Sequence, residues 1–143
     1  MSIDILKGSM GIMAEETGDL TYQNLIQTFV NEFPEFETNS KEEIEFWRGE
    51  EPPVHVFFGN VLNPFLVEDL LAKEVHSKLL DRIFYFLERM AVSKDKKVQE
   101  VLGVAILERV GDDRKILKIA RKIMLPETLK MSHEIENWVP REK

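Results

Sequence analysis

The residues whose types could do chemistry are few. His55, His76 and His133 stand too far apart to define a metal ligand set by spacing. His133-Glu134 opens the helical zinc-hydrolase pattern, which needs a second histidine four residues after the first so that both face one ion. That position is Asn137, and no metal site is assigned. The chain has no cysteine, which removes disulfides, thiolate metal centres and cysteine nucleophiles and fits a reducing compartment. The seven glycines are isolated from the lysine or serine neighbours of a phosphate loop or a nucleophile elbow. Carboxylate pairs such as Glu68-Asp69 and Glu134-Glu136 are common on solvated helix faces. No catalytic residue and no cofactor are assigned, and the chain reads as a non-enzyme. The competing class is a small helical enzyme or ligand binder whose inter-helix pocket gathers His55 and nearby carboxylates.

Two other constellations suit binding. Phe46 and Trp47 lie between Glu42, Glu43 and Glu45 on one side and Glu50 and Glu51 on the other. An aromatic anchor ringed by acids suits a partner with a basic surface, so Glu42, Glu43, Phe46, Trp47, Glu50 and Glu51 are the candidate partner-binding residues. The plainer alternative has both rings turned inward and the acids facing water. After Gly111, the cations Arg114, Lys115, Lys118, Arg121 and Lys122 form a basic helix face, of which Arg114, Lys118, Arg121 and Lys122 are candidates for holding an anion. Aspartates at the start of that helix and cations toward its end also simply complement the helix dipole, and no aromatic stands nearby to stack a base. The same face could instead meet the acidic part of the chain within the fold.

Charge supports that weighting. The net charge is −7, but residues 1–51 carry twelve Asp and Glu against three Lys and Arg, a net of −9, whereas residues 52–143 come to +2. An acidic N-terminal third repels nucleic acid and anionic membrane surfaces and steers basic proteins toward it. Hydrophobic residues at 43% and charged residues at 31% are the balance of a globular domain, and 143 residues suffice for one core. No signal peptide and no run of roughly 20 apolar residues appears, so a cytoplasmic protein is expected. Self-association is left open.

These residues need helices to position them. Residues 1–19 mix Gly, Ser, Met and acids without a period and read as a flexible leader; residues 20–143 read as a single helical domain, acidic over 20–51 and stacked over 54–139. Leu25, Ile26, Phe29, Val30 and Phe33 mark the apolar face of a first helix ended by Pro34. Ser40 and Glu43 have capping-box spacing for a short helix closing near Gly49. Pro52-Pro53 punctuates the chain. Val54–Leu62 would suit a strand by composition, yet no partner strand is evident and Val54, Phe57, Phe58, Val61 and Leu62 also fit helical spacing, so helix is expected. Pro64 should kink it or start a second helix capped by Asn63. A strong amphipathic helix follows over 77–92. Next come a nearly all-apolar one over 98–110 with Ser93 or Asp95 as cap, a C-cap glycine at Gly111, and an antiparallel helix capped by Asp112 or Asp113. A last helix after Pro126 carries Leu129, Met131, Ile135 and Trp138.

The run from Asp95 through Val98, Gly103, Ala105 and Gly111-Asp112 resembles the second helix and exit turn of a HEAT-type repeat, with Gly103 and Ala105 as the small positions. No second copy of the motif stands at a fixed period. The wider arrangement from Phe57, Gly59, Asn63, Pro64 and Phe65 onward resembles small bacterial proteins of uncharacterised families, and acidic proteins of this size include immunity partners of toxins. The resemblance implies an all-α single domain of about five to seven helices with HEAT-like antiparallel stacking in its C-terminal half. Its implied role is protein binding, with a toxin of basic surface as the partner.

Overall fold

A computed structural model of the chain describes residues 19–71, 73 and 77–138. Residues 1–18 of the leader expected over 1–19, His76 and the chain after Trp138 lie outside the described residues. All described elements are helical and form one all-α domain. In chain order they are α1 (Leu25–Glu32), a 3-10 turn (Pro34–Phe36), α2 (Glu37–Phe46), α3 (Val54–Val61), a wide π segment (Phe65–Leu71), α4 (Lys78–Ala91) and α5 (Lys96–Val101). A second π segment (Leu102–Leu107), α6 (Glu108–Val110), α7 (Arg114–Arg121) and α8 (Pro126–Trp138) complete the order. Val54–Val61 is helix, as its apolar spacing required, and among the described residues no strand occurs.

The core is built around Phe29. Its ring stacks on Phe33 at 4.8 Å between centroids and meets Phe36, Phe57, Phe58 and Phe86 within 6.1 Å, three of them edge-on. Offset and edge-to-face pairs satisfy the ring quadrupoles as well as removing apolar area from water. The rings come from α1, the 3-10 turn, α3 and α4, so one cluster fastens four elements. Arg82 and Arg89 of α4 cover its rim: their guanidinium carbons lie 5.0 Å from the Phe33 centroid and 5.2 Å from that of Phe86. The same two cations pair with Glu35 and Glu32. Thus α4 brings two cations against acids of the N-terminal third.

Several local expectations also change. Ser40 does not cap a helix. Pro34, with its fixed φ and no N–H to lose, opens the 3-10 turn that runs straight into α2, so the helix starts before Ser40 and buries it mid-helix. Nor does Asn63 cap one. The helical path continues past Pro64, whose missing N–H leaves a carbonyl of the preceding turn without its usual donor, and the chain widens into the Phe65–Leu71 π segment. Asn63, only 2% exposed, donates its side-chain amide to the Ala105 carbonyl, within the second π segment. Gly111 is right-handed (φ −76°, ψ −9°) and makes no αL cap; the tight exit is made instead by backbone bonds from Gly111 to Leu107 and from Asp112 to Arg109. After that exit α7 leans chiefly on the Phe65–Leu71 segment, while the helical rod over 96–110 lies between α3 and α8. Gly103 permits the α8 contact, since a Cβ there would stand 3.2 Å from Ile135 Cδ1.

Two helix N-termini are capped locally, that of α7 by Asp113, one of the two aspartates expected there. Ser77 accepts from the Leu80 N–H, and Asp113 accepts from those of Lys115 and Ile116. One cap is tertiary: the Glu88 carboxylate of α4 accepts from the Glu127 and Thr128 N–H groups and from the Thr128 hydroxyl at 2.9–3.0 Å, closing the N-terminus of α8. A carboxylate there also complements the helix dipole.

Two stability outcomes follow from this packing. Phe29→Ala should lower unfolding free energy by about 3–5 kcal/mol, because it empties the centre of a ring cluster that cannot collapse around it. Glu88→Ala should lower it by about 1–3 kcal/mol, because it strands buried Thr128 donors, with Glu88→Gln falling between. Urea unfolding followed by circular dichroism reads both.

Candidate protein-binding surface

The acidic end of α2 is shaped by its exit. Trp47 ends the helix; Arg48 (φ 51°) and Gly49 (φ 91°) then turn the chain through the left-handed region, held by bonds from Arg48 N–H to the Glu45 carbonyl and from Glu50 N–H to the Trp47 carbonyl. Gly49 is needed for its φ alone, since nothing lies within 4 Å of where a Cβ would stand. Pro52 is buried and Pro53, in extended conformation, starts α3.

The turn divides the six residues singled out in the sequence. Phe46 is 75% exposed, the most exposed large apolar side chain described, and Glu42, Glu50 and Glu51 face solvent. Trp47 is half-buried and donates its indole N–H to Glu43 at 3.1 Å, and Glu43 also accepts from the Asn60 amide of α3. Glu43, itself held by Trp47, therefore braces α2 against α3, whereas Phe46 and the remaining acids are presented outward. The two rings stay in edge contact at 5.9 Å. Residues 37–51 carry six glutamates against Lys41 and Arg48, so the local potential is negative.

Beside this end lies an open groove of about 790 Å³ between α1 and the 49–52 turn, lined by Tyr22, Ile26, Ile44, Pro52 and Val54 with Glu50 and Glu51 at its edge. Little in the residue pattern pointed to it. Ile44, 39% exposed, is one of few apolar residues in a polar helix, and that isolation was the available signal. Tyr22 is fixed from a distance: its N–H donates to Asp95 Oδ2 at 2.8 Å, while Asp95 Oδ1 caps α5 by accepting from the Lys97 N–H at 3.0 Å. Ser93 donates to the Leu20 carbonyl and receives the Asp95 N–H, so residues 20–22 are sewn to the α4–α5 loop.

The other candidates are placed apart. His55 is exposed on α3 and borders a smaller groove with Tyr22, Lys97 and Glu100. Among the described residues no three His, Asp or Glu side chains gather as a metal site. On α7, Arg114, Lys118 and Lys122 are exposed, while Arg121 donates its Nε–H to Ser132 of α8 and so braces two helices. None of the described helices is long and apolar enough to cross a membrane.

The two backbone N–H groups that bind Asp95 hold its carboxyl below the ordinary aspartate range, first through Tyr22 and then through Lys97. A carboxyl with depressed folded-state pKa contributes stability that is present above its unfolded pKa of about 3.9 and is lost as pH falls through the folded value. Thermal stability measured from pH 6 downward should therefore fall below about pH 4, and Asp95→Asn should flatten that fall while shifting the Tyr22 ring resonances.

No curated protein and no solved structure matches the chain. The family model described as a domain of unknown function, DUF7674, matches residues 26–138, from α1 to the end of α8, and the chain belongs to that family.

Proposed function

We propose that this protein is a non-enzymatic binding module that docks a protein with a basic surface against the acidic end of α2, in the manner of a toxin-immunity protein. The observation that carries the reading is Phe46: a large ring 75% exposed among outward glutamates, on a helix end that Glu43 and Trp47 hold rigid from below. Aromatic anchors fixed on a braced element dominate binding energy where they are buried by a partner. The surrounding acids would speed encounter with a cationic partner and reject anionic ones. The HEAT-type resemblance of residues 95–112 belongs to the same reading, since stacked helices commonly serve as binding scaffolds.

The test is calorimetric titration with basic proteins encoded beside its gene, toxins first. Reversing Glu42, Glu50 and Glu51 to Lys should weaken binding at least tenfold and flatten its salt dependence, and Phe46→Ala should weaken it comparably while leaving the melting temperature nearly unchanged. Glu43 is left intact because it braces α2. Affinity unchanged by both variants would overturn the proposal.

A further inference from the structure

The groove beside α2 does not end at Tyr22. The same ring borders the second depression, of about 330 Å³, whose far side is Glu100, Val101 and Val104 on the α5 rod. Glu100 and Val104 in turn border a third, of about 430 Å³, floored by Gly103, Met131 and Ile135 where the rod meets α8. Three depressions thus adjoin across α1, α3, the rod and α8, the first two sharing Tyr22 and the last two sharing Glu100 and Val104, a valine 55% exposed to water. Their floors are apolar: Ile26, Ile44 and Val54 in the first, Val101 in the second, Met131 and Ile135 in the third. Glu50, Glu51, Glu100 and Glu134 stand along the edges; Lys97 sits 5.5 Å over the Tyr22 ring and Lys96 borders the third depression.

From this continuity we infer that the three depressions form one docking channel for an amphipathic cationic segment of another protein, an inference that rests on the binding role proposed above and extends it beyond Phe46. A small molecule would occupy one depression; successive apolar sites divided by low ridges suit a chain that sets apolar side chains down at intervals. Helical peptides engage grooves in this way through one apolar face. The edge acids, outnumbering the lysines, select Lys and Arg on the opposite face of such a segment. Tyr22, whose backbone N–H is held by Asp95, is the ridge on which the segment's register depends.

The probe is a synthetic leucine–lysine peptide of helical periodicity, compared with its leucine–glutamate counterpart, against the full chain with methyl-labelled Ile and Val. The lysine peptide should shift the methyl resonances of Ile26, Ile44, Val101, Val104 and Ile135 together, and Val104→Arg should weaken it at least tenfold while Phe46→Ala has less effect. Glu100→Lys combined with Glu134→Lys provides a second variant, on exposed positions, with the same expectation. Shifts confined to α2 and insensitive to Val104→Arg would overturn the channel and leave the Phe46 surface standing. Equal binding of the glutamate peptide, or no methyl shift in the channel, would also overturn it, and the titration with basic proteins would still judge the wider reading separately.

Discussion

Five phenylalanines packed around Phe29 set the terms for everything else in this domain. Aromatic rings bring large apolar area with few rotamers, so a cluster of them locks element positions at modest entropic cost. Because the rings come from α1, the 3-10 turn, α3 and α4, the N-terminal third is packed into the same core as the rest despite its charge. Its acidity could otherwise favour separation. Arg82 and Arg89 resolve that tension by lying over the rings while pairing with Glu35 and Glu32, so the cation–π geometry adds to what the exposed ion pairs alone would supply.

Around that cluster, short helices are held by side chains from elsewhere in the chain. Asp95 caps α5 and holds Tyr22; Glu88 of α4 caps α8; Asn63 reaches the Ala105 carbonyl between two widened helices. Helices of six to thirteen residues are marginal alone, and such long-range caps satisfy their end groups only once the fold is assembled. The same bonds place the outer surface: Glu43 fixes the helix end bearing Phe46, and Asp95 fixes the Tyr22 ridge between two grooves.

Much of the helical reading survives because it rests on periodicity. The apolar faces of α1, α3 and α4, the Asp113 cap and the Pro126 start of α8 are all local patterns, and local patterns are legible. The failures share a cause. Ser40 has the spacing of a cap, but the earlier Pro34 nucleates the helix first; Asn63 stands where a cap before Pro64 would stand, but packing keeps the path helical and turns its amide inward. Gly111 precedes a turn that backbone bonds close without the left-handed conformation. In each case the residue type allowed two uses, and contacts distant in sequence chose between them. The binding candidates divide in the same way: adjacency in sequence grouped Glu43 and Trp47 with Phe46, whereas helix geometry set Glu43 against α3 with Trp47 bonded to it and turned Phe46 outward.

The sequence by itself determined the all-helical class, the break at Pro52-Pro53, the acidic concentration before it and the absence of cysteine chemistry, since composition and 3.6-residue periodicity need no knowledge of the partner surfaces. Only the tertiary structure decided that the aromatic cluster centres on Phe29, that α4 supplies the cations meeting Glu32 and Glu35, and that Tyr22 divides a groove. Those outcomes depend on side chains from separate helices converging at a few ångströms, and spacing along one helix carries no information about which face of another it will meet.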